Sequence, residues 1–126
     1  MNIWRPSQQI KVKAIGLHWR GERLLAFDIY DDGGNVKGVR PLGGSVEFGE
    51  TWQQTLVREF QEELGINITV VGEPLVIENI YTHEGYAGHE ILFISEVLFP
   101  TDIYKGREEI EFTEDNGEVC IARWYE

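Results

Sequence analysis

The hydrophobic and polar positions of this chain read as strands, one strong helix between about Trp52 and Leu64, and then strands again. Period-two alternation puts successive side chains on opposite faces of a strand. Ile10 to Trp19 and Glu22 to Tyr30, either side of Arg20 and Gly21, predict a two-stranded hairpin with a tight turn. The glycine-rich run from Asp31 to Asn35 predicts a loop, Val39 to Leu42 a short strand leading into Gly43 and Gly44, and Ser45 to Phe48 a further extended piece. Ile66 to Val71, Leu75 to Tyr81 and Glu90 to Phe99 carry the β-branched and aromatic residues that favour strands. Asp102 to Gly117 is acidic and weakly patterned, which predicts a long loop, and Val119 to Tyr125 predicts a last strand.

Local signals bound the helix. Thr51 is a good N-cap with Gln54 three residues on, the capping-box arrangement, and Gly65 supplies a left-handed stop. At about 100° per residue, Leu56, Val57, Phe60 and Leu64 share a stripe that should face the core. Glu59, Glu62 and Glu63 form a second stripe beside it. Glutamate is a good helix former, and charge runs commonly cover a solvated face. Like charges three and four residues apart nevertheless repel, by about a few tenths of a kcal/mol each, and no lysine follows to offset them. Three carboxylates on adjacent turns are hard oxygen donors that suit magnesium or manganese.

Composition narrows the function. A chain of 126 residues predicts a single domain, 1–126, able to bury its own core. A net charge of −11 opposes binding to a nucleic-acid polymer, and leaves open a small phosphate ester whose charge is bridged by metal ions. The longest mostly apolar run, Ile91 to Pro100, is too short to span a bilayer, and the first residues lack the order of a signal peptide. The single cysteine, Cys120, has no partner for an internal disulfide. The expectation is a soluble, cytoplasmic protein with no membrane partner.

From Gly44 onward the chain sets Gly44, Glu50, Arg58, Glu59, Phe60, Glu62, Glu63, Gly65 and Ile66 at the spacing G, five residues, E, seven residues, R-E-F-x-E-E-x-G-I. At every specified position this resembles the signature box of the Nudix hydrolases. The resemblance implies an α/β (α+β) fold, an α/β/α sandwich with a mixed sheet and one catalytic loop-helix-loop that holds divalent cations against a substrate diphosphate. By the same resemblance Glu59 and Glu63 are metal ligands, Glu62 a further ligand or the base that activates water, and the Gly43 carbonyl a backbone ligand. Glu50 and Arg58 are expected to bridge the loop to the helix, and Phe60 and Gly65 to be structural. Glu47 has no assigned role. The implied reaction is attack of water on phosphorus in a nucleoside diphosphate linked to another group; the alternative is a Nudix-fold sensor that binds a nucleotide or sugar nucleotide without cleaving it.

Many members of the family take a further carboxylate from outside the box. Among Glu108, Glu109, Glu111, Glu114, Asp115 and Glu118, the candidates in order are Glu118 and then Glu114, since they approach the final strand. Arg40 and Lys37 are candidates to meet phosphate, against the alternative of ordinary surface cations. Trp19, Tyr30, Tyr81 and Phe93 are candidates to stack on a base, with core packing as the alternative, and Trp52 to line a pocket rim. His83 and His89 are expected to be packed or loop residues and not ligands. Two departures stand out: Leu42 separates Pro41 from the glycine pair, and the sequence stops after the last predicted strand, where the family usually continues into a helix; the expectation is that this helix is missing, with another subunit or other segments over that face or the protein shortened there. An apolar sheet face left uncovered in that way favours a homodimer.

Overall fold

The computed structural model describes residues 3–114 and 117–126. In chain order its elements are β1 (Ile10–Leu17), β2 (Trp19–Arg20), β3 (Arg23–Tyr30), β4 (Val36–Pro41), β5 (Gly43–Ser45), α1 (Trp52–Leu64), β6 (Thr69–His83), β7 (Tyr86–Leu98), β8 (Glu109–Thr113) and β9 (Val119–Tyr125). One sheet is mixed, ordered β5-β1-β7-β6, with β1 parallel to β7 and the other pairs antiparallel. The second is antiparallel around β3, which pairs with β9 on one side and with β2 and then β4 on the other; β8 lies beyond β9. The fold is α+β with a mixed sheet and one helix among the described residues. The layer opposite α1 is the second sheet.

Alternation along the strands sorts side chains between these layers. On the helix side of the mixed sheet, Ala14 and Val97 are fully buried in one apolar cluster with Leu56 and Phe60 of α1. On the other side Lys13, Ile15 and Leu17 of β1, Glu90, Leu92 and Ile94 of β7, and Asn79 and Tyr81 of β6 line a cleft facing the second sheet. Three crossings join the sheets, the last of them between β7 and β8. His18 carries the chain from β1 to β2, and buried Leu42 carries it from β4 to β5, with the Gly16 N–H donating to the Leu42 carbonyl at 2.9 Å.

Several expectations change. The tight turn at Gly21 exists, but it joins only β2 to β3; β1 pairs with β7 and β5 and not with β3. The predicted strands Ile66–Val71 and Leu75–Tyr81 are largely one strand, β6, with its pairing shifted between Val71 and Leu75. β6 and β7 form a long hairpin through Glu84 and Gly85, both at positive φ, as a two-residue turn of this twist requires. The stretch expected to be loop contains β8, whose Ile110 and Phe112 are buried while Glu109, Glu111 and Thr113 are exposed. Val57 is exposed, and Glu59 is buried in its place on the inner face. On the β6 edge Leu75, Val76 and Ile80 remain exposed.

Candidate active site

Local signals set the helix in place. The Thr51 hydroxyl accepts from the Gln54 N–H at 3.2 Å, the Gln54 side chain accepts from the Thr51 N–H at 2.9 Å, and Gly65, at φ 69°, donates to the Gln61 carbonyl at 2.9 Å. Arg58 then ties the helix to the preceding loop. Its Nε and one terminal nitrogen donate to the two oxygens of Glu50 at 2.7 and 3.0 Å, and that nitrogen also reaches the Ser45 carbonyl at 3.1 Å. The buried Thr55 hydroxyl adds a 2.6 Å bond to Glu50. These donors, Arg58 first, hold the Glu50 carboxyl down to about 2, and Glu50 in turn raises the pKa of Arg58. Glu47, for which the sequence suggested nothing, lies 3.8 Å from the same guanidinium.

The box acids stand in different surroundings. The Glu59 side chain is 5% exposed and accepts from Arg58 at 2.8 Å, whereas the Glu62 side chain is 49% exposed and takes a 3.3 Å bond from the same nitrogen. Glycine is required beneath them. A Cβ on Gly44 would overlap the Glu59 carboxylate, and one on Gly43 would overlap the Ala14 carbonyl of β1. Glu63, in the last turn, is partly buried, and its charge reaches Cys120 of β9 together with those of Glu114 and Glu118. Burial, then these carboxylates, pushes the Cys120 thiol up to about 12. The turn between β8 and β9 is closed by the Glu114 N–H donating to the Glu118 carbonyl at 2.9 Å. One edge of the molecule thereby gathers acids from the helix end and from this turn. A set composed of carboxylate oxygens suits a hard divalent cation. Glu108 and Glu109 instead pair with Arg23 and Arg123, Glu111 is exposed on β8, and Asp115 lies outside the described residues.

The cleft between the sheets, about 830 Å³, meets that edge: Glu114, Glu118 and Cys120 belong to its lining. Arg40 and Tyr81 line it too, as do Lys37 and Tyr30. Trp52 and Phe93 do not. They stack on each other, ring planes 5° apart, on the helix side of the mixed sheet, because Phe93 lies opposite Ala14 in register and shares its face. Trp19 sits at the β2–β3 turn, half exposed and away from the cleft lining. At the far end Lys37 donates to buried His83 at 2.7 Å, Arg5 pairs with Asp32 at 2.6 Å, and Trp4 packs edge-on against His83. Asp32, His83 and Glu84 form a compact group of metal-capable side chains there, but Arg5 and Lys37 already supply cations to it. His89 pairs with Glu78.

Sequence reasoning missed the polar floor of the cleft. Lys13 and Glu90, 3.2 Å apart, and Asn79, 3.1 Å from Glu90, share the register of inward-facing Ile15, Leu92 and Ile94. A charged residue in phase with core positions was the signal available.

Comparison with known proteins gives a consistent fold. The NUDIX domain family matches residues 17–126. Among solved structures, a MutT NUDIX hydrolase from Burkholderia pseudomallei superposes with a TM-score of 0.65 at 20% identity, covering 94% of this chain and 84% of that one. The E. coli ORF135 protein gives 0.58 at 22% identity, covering 91% and 74%, and a NUDIX hydrolase from Nitrosomonas europaea 0.55 at 22%, covering 93% and 72%. No curated protein matches the sequence.

Proposed function

Since the chain belongs to the NUDIX domain family and is a Nudix hydrolase, we propose that it cleaves a phosphoanhydride bond in a nucleotide or nucleotide-sugar substrate with the help of magnesium or manganese. The observation that carries this is the box folded as one unit, with Arg58 joining Glu50, Glu59 and Glu62 beside the glycine pair, and a cleft whose lining includes Glu114, Glu118 and Arg40. The cation would be held by Glu59, Glu63, Glu118 and the Gly43 carbonyl, with Glu62 left as the base, and when bound it would supply charge neutralisation on the phosphates and a more acidic water.

The protein's own groups do the rest. Glu62, the most solvent-reached of Glu59 and Glu62, takes the proton of the attacking water. Arg58 and Glu50 are positioning residues: they fix the loop and hold the Glu59 carboxylate on one side. Arg40 meets a phosphate oxygen, and Tyr81 forms cleft wall against the nucleoside. Trp52 and Phe93 have no part in this reading, because their rings are spent on each other.

The test is hydrolysis of a panel of nucleoside triphosphates, dinucleoside polyphosphates, ADP-ribose and other nucleotide sugars with magnesium. Turnover is expected for at least one compound, and Glu63→Gln should lower it by about a hundredfold or more while melting like the parent. Tight binding without any product across the panel would turn the assignment to a nucleotide sensor. Undiminished turnover in Glu63→Gln would mean the metal site lies elsewhere.

A further inference from the structure

Lys13, Glu90 and Asn79 sit on three adjacent strands, β1, β7 and β6, and meet on the floor of the cleft. One Glu90 oxygen accepts from the Lys13 ammonium at 3.2 Å and the other from the Asn79 amide at 3.1 Å. The Lys13 and Glu90 side chains are each only 13% exposed, and both belong to the cleft lining. A buried ion pair is a weak source of stability. In a mainly apolar cleft, a few polar groups of this kind fix the orientation of a ligand and choose among ligands.

A carboxylate offers about four lone-pair positions, and two of those on Glu90 are taken by Lys13 and Asn79. One position therefore remains on each oxygen. The floor presents, in order, an ammonium donor and two neighbouring acceptors. Its complement is a ring carbonyl followed by two adjacent N–H groups. Among the common bases guanine alone carries that edge, as O6, N1–H and the N2 amine. Adenine and cytosine place one amine beside a ring acceptor, and uracil and thymine place one N–H between two carbonyls. Each of these would leave a Glu90 oxygen unpaired or facing another acceptor, and a site built to pair with N–H groups rejects ligands that lack them. Burial and the nearby Arg40 charge both disfavour the Lys13 cation, so a carbonyl oxygen beside it is a favourable addition.

We propose that Lys13, Glu90 and Asn79 read the base of the substrate and select guanine. The proposal rests on the hydrolase reading only in placing the nucleoside in this cleft. It is tested by calorimetric titration of the whole protein, free of divalent metal, with GMP, IMP, AMP and CMP, so that the readout is binding and not turnover. GMP should bind at least about tenfold more tightly than AMP or CMP, the loss expected for missing hydrogen bonds to a charged group. IMP, which lacks the N2 amine, should fall between. Glu90→Gln, which exchanges an acceptor for a donor, should bring GMP and AMP to within about threefold of each other with an unchanged melting temperature. If that variant melts early, Asn79→Ala, which leaves the ion pair in place, should weaken GMP more than AMP. Equal affinities in the parent, no measurable affinity for any of the four, or a preference that survives Glu90→Gln overturns the proposal. Hydrolysis of the nucleotide panel regardless of base overturns it while leaving the hydrolase assignment standing. Guanine-selective binding without hydrolysis of any panel compound does the reverse.

Discussion

Arg58 donates to Glu50, Glu59, Glu62 and the Ser45 carbonyl from one planar head. A lysine could not do this, since its ammonium has three donors and no fixed fork. The same economy of space governs Gly44, over which the Glu59 carboxylate lies. Gly44→Ala would drive a methyl group into that carboxylate. We expect turnover to fall at least about tenfold, because displacements near 1 Å at a reacting centre cost that much or more, together with a lower melting temperature. Steady-state kinetics and a thermal melt check both, and a variant with parental turnover would refute the placement of Glu59. The Glu50–Arg58 pair and the box glycines were legible because they lie within one short spacing. The Glu47 contact and the Lys13–Glu90 pair were not, since each depends on which way a strand or loop turns its side chains.

Element by element, the helix was the most legible part. Its caps are local chemistry, and Thr51, Gln54 and Gly65 make the bonds their positions predict. Thr51→Ala should cost about 1 kcal/mol, measured by urea denaturation, with turnover kept because the Thr51 hydroxyl is engaged by the Gln54 N–H. A change below a few tenths would mean that Gln54 alone caps the helix. Strands were harder. EIEFT alternates as a strand should, with Ile110 and Phe112 inward, yet the surrounding acids disguised it as loop. The choice of β7 over β3 as the long partner of β1 is not local at all; it depends on which distant strand the fold brings to its edge. Phe93 was misplaced for a related reason, since its face follows from the register with Ala14 and not from its own sequence neighbourhood.

For the molecule as a whole, the junction of the two sheets sets the response to pH. His18 bridges β1 and β2, stacks on Phe99 with ring centroids 3.8 Å apart, and accepts from the Trp124 indole at 3.2 Å. Burial, with Arg20 nearby, brings its pKa down from 6.5 to about 4. The folded state therefore holds the ring neutral while the unfolded chain begins to protonate it below pH 6.5. The associated stability is fully present above pH 6.5 and is lost as the pH falls through about 4. After allowance for partial exposure, its size is about 2 kcal/mol. Denaturation at pH 7, 5.5 and 4 should show a steeper acid decline in the parent than in His18→Gln. Parallel declines would remove His18 from the explanation.

The passage from β4 through Leu42 into β5 connects the cleft to the box along the chain. One continuous stretch of backbone carries Arg40 in the cleft wall and, four residues later, Gly44 beneath the Glu59 carboxylate. Buried Leu42 lies between them, pinned by Gly16 of β1. A guest lodged against Arg40 therefore touches the same run of backbone that leads, through Leu42, into the glycine pair.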